Sequence, residues 1–195
     1  VTIETEPGLE IEVKIKIGRE HLEEFRVIIA KKGFQLIENR AFEQNIVFDT
    51  PEKILKRNKF LLRLRRKDNK YTVTFKRPPA AAADSTSSKI SSYKIREETE
   101  VEVSDFETVK KIFTGLGYEA VFTYEKYREV FQLENVKLMV DETPIGNFIE
   151  IEGPEDAIDR TSRELGFGKD DYITENYRTL FKKAGYTGDM TFEDK

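Results

Sequence analysis

The sequence contains no cysteine, no tryptophan and a single histidine, His21, in 195 residues. The lack of cysteine excludes disulfides, thiolate zinc sites and cysteine nucleophiles. One histidine leaves no material for a His-rich metal site or a Ser-His triad. No apolar run approaches the ~18 residues that a membrane helix needs, and no segment reads as a signal peptide. A protein of a reducing compartment, the cytoplasm, is therefore expected, without a membrane partner. An excess of positive charge is missing too. Lys and Arg number 33 against 37 Asp and Glu, for a net charge of -4. A generally basic nucleic-acid binder is disfavoured on that balance, and no nucleic-acid partner is expected. Any chemistry must be done by carboxylates, Lys, Arg, Tyr and metal ions.

What is abundant is charge of both signs. Charged residues make up 36% of the chain, against about 25% in ordinary soluble domains. The apolar share of 38% is enough for a buried core, and residues 1–195 read as one domain. Leu9-Glu10-Ile11-Glu12-Val13-Lys14-Ile15-Lys16-Ile17 alternates apolar and charged residues strictly, the period of a strand with two unlike faces. Leu22, Phe25 and Ile29 predict a helix over 19–32 that Gly33 stops. A second strand is expected over 42–49. Thr50-Pro51 then reads as the N-cap and first position of a short helix ending near Asn58. Residues 60–67 and 70–77 predict a hairpin about Asp68-Asn69, and the Ala- and Ser-rich stretch 80–92 a mobile loop.

A strand over 93–103 sets Arg96, Glu98, Glu100 and Glu102 on one face and Ile95, Val101 and Val103 on the other. Ser104-Asp105-Phe106-Glu107 reads as a capping box, opening a helix whose stripe is Phe106, Val109, Ile112, Phe113 and Leu116. Strands are expected at 121–132, 137–142 and 147–153. A helix from Gly153-Pro154 to about Leu165 and a last one near 174–185 follow, and the polar tail from Thr187 is expected to fray. About eight strands in hairpin-like succession define an α+β protein with an antiparallel sheet, and eight are enough to close a barrel.

On strand after strand one face is charged. For any single strand that is a sheet with one face in water. The set as a whole is more particular. Glutamates pair on the first and last strands, as Glu10 with Glu12 and Glu150 with Glu152. Cations group on the middle strands, as Arg63 with Arg65, Lys76, and Lys126 with Arg128. If those faces turn inward, they line a wet tunnel of both signs, which is costly unless ligand, metal and water fill it. Four glutamates offer only oxygen ligands, which suit Mg²⁺ or Mn²⁺. Arg and Lys suit phosphate, Arg through its forked donors. Together they describe a site for a metal-bound polyphosphate.

The Glu-x-Glu-x-Lys strand of Glu10, Glu12 and Lys14 stands in order with Phe48-Asp49-Thr50, Leu64-Arg65, Thr74-Phe75-Lys76 and Arg96-Glu97-Glu98-Thr99-Glu100. Glu125-Lys126-Tyr127-Arg128, Val140-Asp141 and Glu150-Ile151-Glu152 follow. Over about residues 9–180 this pattern resembles the CYTH superfamily, the triphosphate tunnel metalloenzymes, which include class IV adenylate cyclases, thiamine triphosphatases and inorganic triphosphatases. The resemblance implies a closed eight-stranded antiparallel tunnel with helices on its outer face. It also implies a small-molecule triphosphate bound with Mg²⁺ or Mn²⁺. Carried onto this chain, Glu10, Glu12, Asp141, Glu150 and Glu152 are expected to hold metal. Lys14, Arg63, Arg65, Lys76, Arg96, Lys126 and Arg128 would clamp phosphates. Glu98 and Glu100 match with a register that could shift onto Glu102. Lys14, with Glu10 and Glu12, is expected to act in catalysis by orienting water. Two departures stand out: no His-Phe pair precedes the first strand, and no tryptophan is present to support a thiamine ring.

The expected function is metal-dependent hydrolysis of an inorganic, nucleoside or organic triphosphate. The alternatives are a class IV adenylate cyclase and, from another class, a non-catalytic polyphosphate-binding module. The oligomeric state stays open, a homodimer included. Gly115-Leu116-Gly117 reads as a helix C-terminal turn rather than a dinucleotide fingerprint, and His21 as a surface residue. Tyr71, Tyr124 and Tyr127 read as ordinary sheet residues.

Overall fold

Strand β1 (Leu9–Ile17) keeps the alternation of its sequence. Val13, Ile15 and Ile17 are buried against helices on one face, while Glu10, Glu12 and Lys14 line a cavity on the other. Seven further strands repeat the arrangement in this computed structural model, which describes residues 8–80 and 91–192. They are β2 (Gln35–Asp49), β3 (Leu61–Lys67), β4 (Lys70–Arg77), β5 (Lys94–Val103), β6 (Glu119–Leu133), β7 (Val136–Thr143) and β8 (Gly146–Glu152). They close into an antiparallel barrel in the order β1-β5-β4-β3-β2-β6-β7-β8, so the expected α+β tunnel is the fold.

The barrel is lined with charge and coated with hydrocarbon. Helices α1 (Leu22–Lys31) and α4 (Glu155–Glu164) cover the outer faces of β1, β7 and β8. There Phe25, Ile29 and Ile158 pack on Val13, Leu138, Val140, Ile149 and Ile151. Helix α3 (Phe106–Gly115) covers β2, β3 and β4, where Phe106 packs with Ile46, Phe48 and Leu64. Each fully buried aliphatic or aromatic side chain contributes roughly 1.5–3 kcal/mol, and this outer layer supplies the folding energy that a charged interior does not. The exception lies at one end of the barrel. Helix α5 (Tyr177–Lys183) sets Tyr177 and Phe181 against Phe122, Tyr124 and Phe148 there, beside Met190.

The strands part at that end, and the C-terminal chain bridges both gaps. Lys14 lies beyond the last β1–β5 pair, and its N–H and C=O pair instead with Ile173 at 3.1 and 2.7 Å. On β6, before β7 joins at Tyr127, Met190 donates to Thr123 O and accepts from Glu125 N, each at 2.9 Å. The expected fraying tail is thus corrected: Met190 is fully buried.

Other boundaries also move. Strand β2 begins at Gln35 rather than 42. Residues 35–41 are mostly exposed and lack alternation, and the ladder to β6, with its irregularities near Glu38, holds them in the sheet. Thr50-Pro51 makes a turn, not a helix start. Helix α2 is only Ile54–Arg57, and the Asp49 carboxylate accepts from Leu55 N at 2.9 Å and Lys56 N at 3.0 Å. The cap of α3 is Asp105, accepting from Thr108 N, not Ser104, and Ile112 and Leu116 of its expected stripe are exposed. Helix α5 is shorter than 174–185. Most of the loop expected at 80–92 lies outside the described residues.

Candidate functional site

The inward faces enclose a cavity of about 610 Å³. Strand order sorts its charges. Neighbouring β7, β8 and β1 carry Asp141, Glu150, Glu152, Glu10 and Glu12 along one arc of the wall. The rest of the wall carries Lys94, Arg96, Glu98 and Glu100 on β5, Lys76 on β4, Arg63 and Arg65 on β3, Glu43 on β2, and Lys126 and Arg128 on β6, while Lys14 and Lys137 stand among the carboxylates of the first arc. Residues far apart in the chain thus face one space because each strand points alternate side chains inward. Thirteen of the fourteen expected site residues line the cavity. Arg66, between Arg65 and Lys67, points outward over the Phe106 ring, which settles the register of β3.

Asp141 is the fourteenth. It faces inward on β7 but is fully covered by its partners, its carboxylate accepting from Arg128 Nε and Nη2 at 2.6 Å each, Lys126 Nζ at 3.0 Å and Tyr177 Oη at 2.6 Å. With all four donors in place it anchors two cations of the wall. Glu150 bridges the two arcs, accepting from Lys14 Nζ at 2.6 Å and from Arg128. Lys76 pairs with Glu10 and lies 3.1 Å from Glu98. Arg63 donates to Thr74 Oγ1 at 2.9 Å, and that hydroxyl donates to Glu100 at 2.6 Å. Arg96 lines the cavity with no carboxylate within 4 Å among the described residues. Burial lowers its pKa, but a guanidinium stays charged, so it is available to a bound anion.

The carboxylates divide by environment. Burial, with Glu12 beside it, raises the Glu10 pKa despite Lys76, and burial also raises that of Glu152. Burial acts the same way on Glu12, but Lys94 outweighs it and holds the pKa at about 2. For Glu150 the Arg128 and Lys14 charges overcome burial and hold it well below the usual range. Burial, reinforced by Asp141, pushes the Tyr177 hydroxyl well up, so it stays a donor.

The sequence reading missed several partners. Lys94 pairs with Glu12, and it was legible as the inward residue two before Arg96. Glu43 and Asn45 face inward on β2 and alternate with outward Ile46 and Phe48. Tyr124, read as an ordinary sheet residue, is buried in the barrel with its hydroxyl 3.4 Å from Arg63 Nη1. Tyr177 had no local signal, because its partner Asp141 is 36 residues away.

A hard cation suits the acidic arc by donor chemistry, since every candidate ligand is a carboxylate oxygen. Glu12 and Glu152 are register partners on β1 and β8. Among the described residues no three such side chains converge on one point, and Glu10 and Glu12 hold Lys76 and Lys94 instead.

An antiparallel barrel closed around a cavity lined with carboxylates, arginines and lysines defines a tunnel fold. The CYTH domain matches residues 8–168, most of the chain, and the chain belongs to that family. It is 29% identical over 185 residues to a Methanocaldococcus jannaschii protein named "putative adenylate cyclase", a match covering 88% of this chain and 98% of that one. A Vibrio parahaemolyticus structure described by the same words superimposes with a TM-score of 0.77 at 14% identity, covering 91% and 99% of the two chains. A Hippeastrum protein described as a "putative adenylyl cyclase" with a dominant triphosphatase activity superimposes with a TM-score of 0.58 at 16% identity over 92% and 96%. At these identities the two structures bear on the fold alone. No helix among the described residues is long and apolar enough to cross a membrane.

Proposed function

We propose that the protein is a divalent-metal-dependent triphosphate hydrolase. The observation that carries this reading is one closed cavity in which the glutamate pairs of β1 and β8 face the same space as the Arg and Lys groups of β3, β4, β5 and β6. Phosphate oxygens meet Arg63, Arg65, Lys76, Arg96, Lys126 and Arg128, and the forked guanidinium groups hold them in fixed orientation. Glu10, Glu12 and Glu152 would hold Mg²⁺ or Mn²⁺, exchanging the lysine pairs of Glu10 and Glu12 for the cation. Such an ion supplies polarisation of phosphoryl oxygens and a more acidic water. Lys14, cationic among the glutamates of β1 and β8, would orient water toward the terminal phosphorus, while the basic side chains neutralise charge spreading onto the equatorial oxygens. The enclosing barrel limits bulk water, which strengthens each of these contacts.

A second reading is a class IV adenylate cyclase, in which the same clamp holds ATP and the 3′-hydroxyl attacks the α-phosphorus. The name of the M. jannaschii relative favours it, and a cavity of about 610 Å³ falls in the ~300–1,000 Å³ range that accepts a nucleoside-sized group.

The test is to incubate the purified protein with tripolyphosphate, ATP or thiamine triphosphate, with Mg²⁺ or Mn²⁺, and to identify every product. Metal-dependent release of orthophosphate is expected. Cyclic AMP with pyrophosphate would establish the cyclase instead. Binding with no turnover of any of the three would reduce the tunnel to a polyphosphate-binding module.

A further inference from the structure

Glu43 is the least explained charge in the molecule. It is fully buried on β2, and neither carboxylate oxygen has a hydrogen-bond partner. An isolated buried carboxylate would be expensive, yet this one is ringed by cations. In the sheet register it stands opposite Lys67 on one side and Lys126 on the other. The nearest nitrogens are Arg65 Nε at 3.7 Å, Lys126 Nζ at 3.8 Å and Lys67 Nζ at 3.9 Å. Burial pushes the carboxyl up, but Arg65 and Lys126 outweigh it and hold the pKa at about 2, so the group is ionised.

Glu43 borders the cavity but has no accessible surface of its own, so Arg65, Lys67 and Lys126 stand between its carboxylate and a ligand in the tunnel. The three cations around it all line the cavity. Their remaining contacts point elsewhere: Arg65 Nε to Asn45 Oδ1 at 3.1 Å, Lys126 to Asp141, and Lys67 to Glu38. Without a shared anion on β2, the two cations of β3 and the one of β6 that flank it would repel and splay.

We propose that Glu43 is a positioning residue: a buried counter-charge that fixes the spacing of Arg65, Lys67 and Lys126 into one anion-reading constellation. This rests on the reading of the tunnel as a triphosphate site and adds to it a source of chain-length selectivity. A fixed constellation rewards one anion geometry, whereas a loose cluster of cations responds to charge alone.

The experiment is calorimetric titration of wild type, Glu43→Gln and Glu43→Asp with tripolyphosphate and with pyrophosphate, in the presence of Mg²⁺, with thermal melts to verify folding. Wild type is expected to favour tripolyphosphate. Glu43→Gln removes a negative charge from a basic wall, so both anions should still bind. The preference between them should shrink about 5-fold or more as the constellation loosens. Glu43→Asp keeps the charge but draws it back by one methylene, and it should fall between the other two. A folded Glu43→Gln protein with the wild-type preference overturns the proposal. So does an equal loss of affinity for both anions, or a wild type with no preference. If Glu43→Gln does not fold, an undiminished preference in Glu43→Asp overturns it. Phosphate release by wild type is followed in parallel. A wild type that selects tripolyphosphate but hydrolyses nothing sinks the hydrolase reading and leaves the role of Glu43 standing.

Discussion

Glu10 and Glu12 stand two residues apart on the same strand face, yet they contribute to stability with opposite signs. A carboxyl whose pKa is raised by folding, as for Glu10, favours the native state when protonated and disfavours it when ionised, so at pH 7 its charge is a liability. Glu12, held at about 2 by Lys94, stabilises the native state at any pH above the ordinary carboxylate range. Glu10→Gln should therefore leave the protein as stable or about 1 kcal/mol more so, since Lys76 keeps Glu98 as a partner. Glu12→Gln strands Lys94 in the wall and should lower stability by roughly 1–3 kcal/mol. Denaturant titration at pH 7 measures both. Loss of stability in Glu10→Gln equal to that in Glu12→Gln would contradict the assignment. Both variants should lose metal-dependent turnover, because an amide is a poor ligand for a hard cation.

At the scale of elements, the C-terminal segment does more than its length suggests. Helix α5 has only seven residues and, in isolation, far too few to be stable. It is held by Ile173 paired to β1 before it and Met190 paired to β6 after it. Between those anchors Tyr177 reaches Asp141, and Phe181 packs on Phe122. Met190→Ala should cost roughly 2–5 kcal/mol, as for other truncated core residues, and should loosen the helix that closes this end of the tunnel. Hydrogen exchange checks this: amides of Met190, Glu125 and α5 should lose protection together, while α1 and α4 keep theirs. This element was the least legible. A lone Met in a polar stretch has no period to detect, and its burial exists only because β6 has an open edge there. Strands β1, β3 and β4 were legible nearly to the residue, because each carries its own two-faced alternation.

For the whole molecule, the folded state holds buried carboxylates of two kinds. Glu12 and Glu43, each near 2, and Glu150, well below its ordinary value, hold protons more weakly in the native state than in the unfolded one. Their stabilisation is full above the unfolded value of about 4.5 and is lost as pH falls from there toward 2. Glu10 and Glu152 bind protons more tightly when folded, so their protonation comes first and favours the native state. Stability should thus hold or rise slightly as pH falls from 7 to about 5, then drop steeply below about 4.5. Urea titrations across that range test the shape. A monotonic decline beginning at pH 7 would contradict it.

The sequence by itself determined the inward list on most strands. Period 2 puts every other residue on one face, and no packing detail can separate Glu10 from Glu12 or Arg63 from Arg65. It determined the chemical class of the lining as well, carboxylate oxygens together with guanidinium and ammonium groups. Tertiary structure decided which charges meet. Strand order brings β7, β8 and β1 together, and the register sets Glu43 between Lys67 and Lys126. It likewise set Asp141, one of the expected metal ligands, against Arg128, Lys126 and Tyr177. Alternation is local and survives in the primary sequence. Pairing between residues tens of positions apart depends on barrel closure, which no single strand encodes.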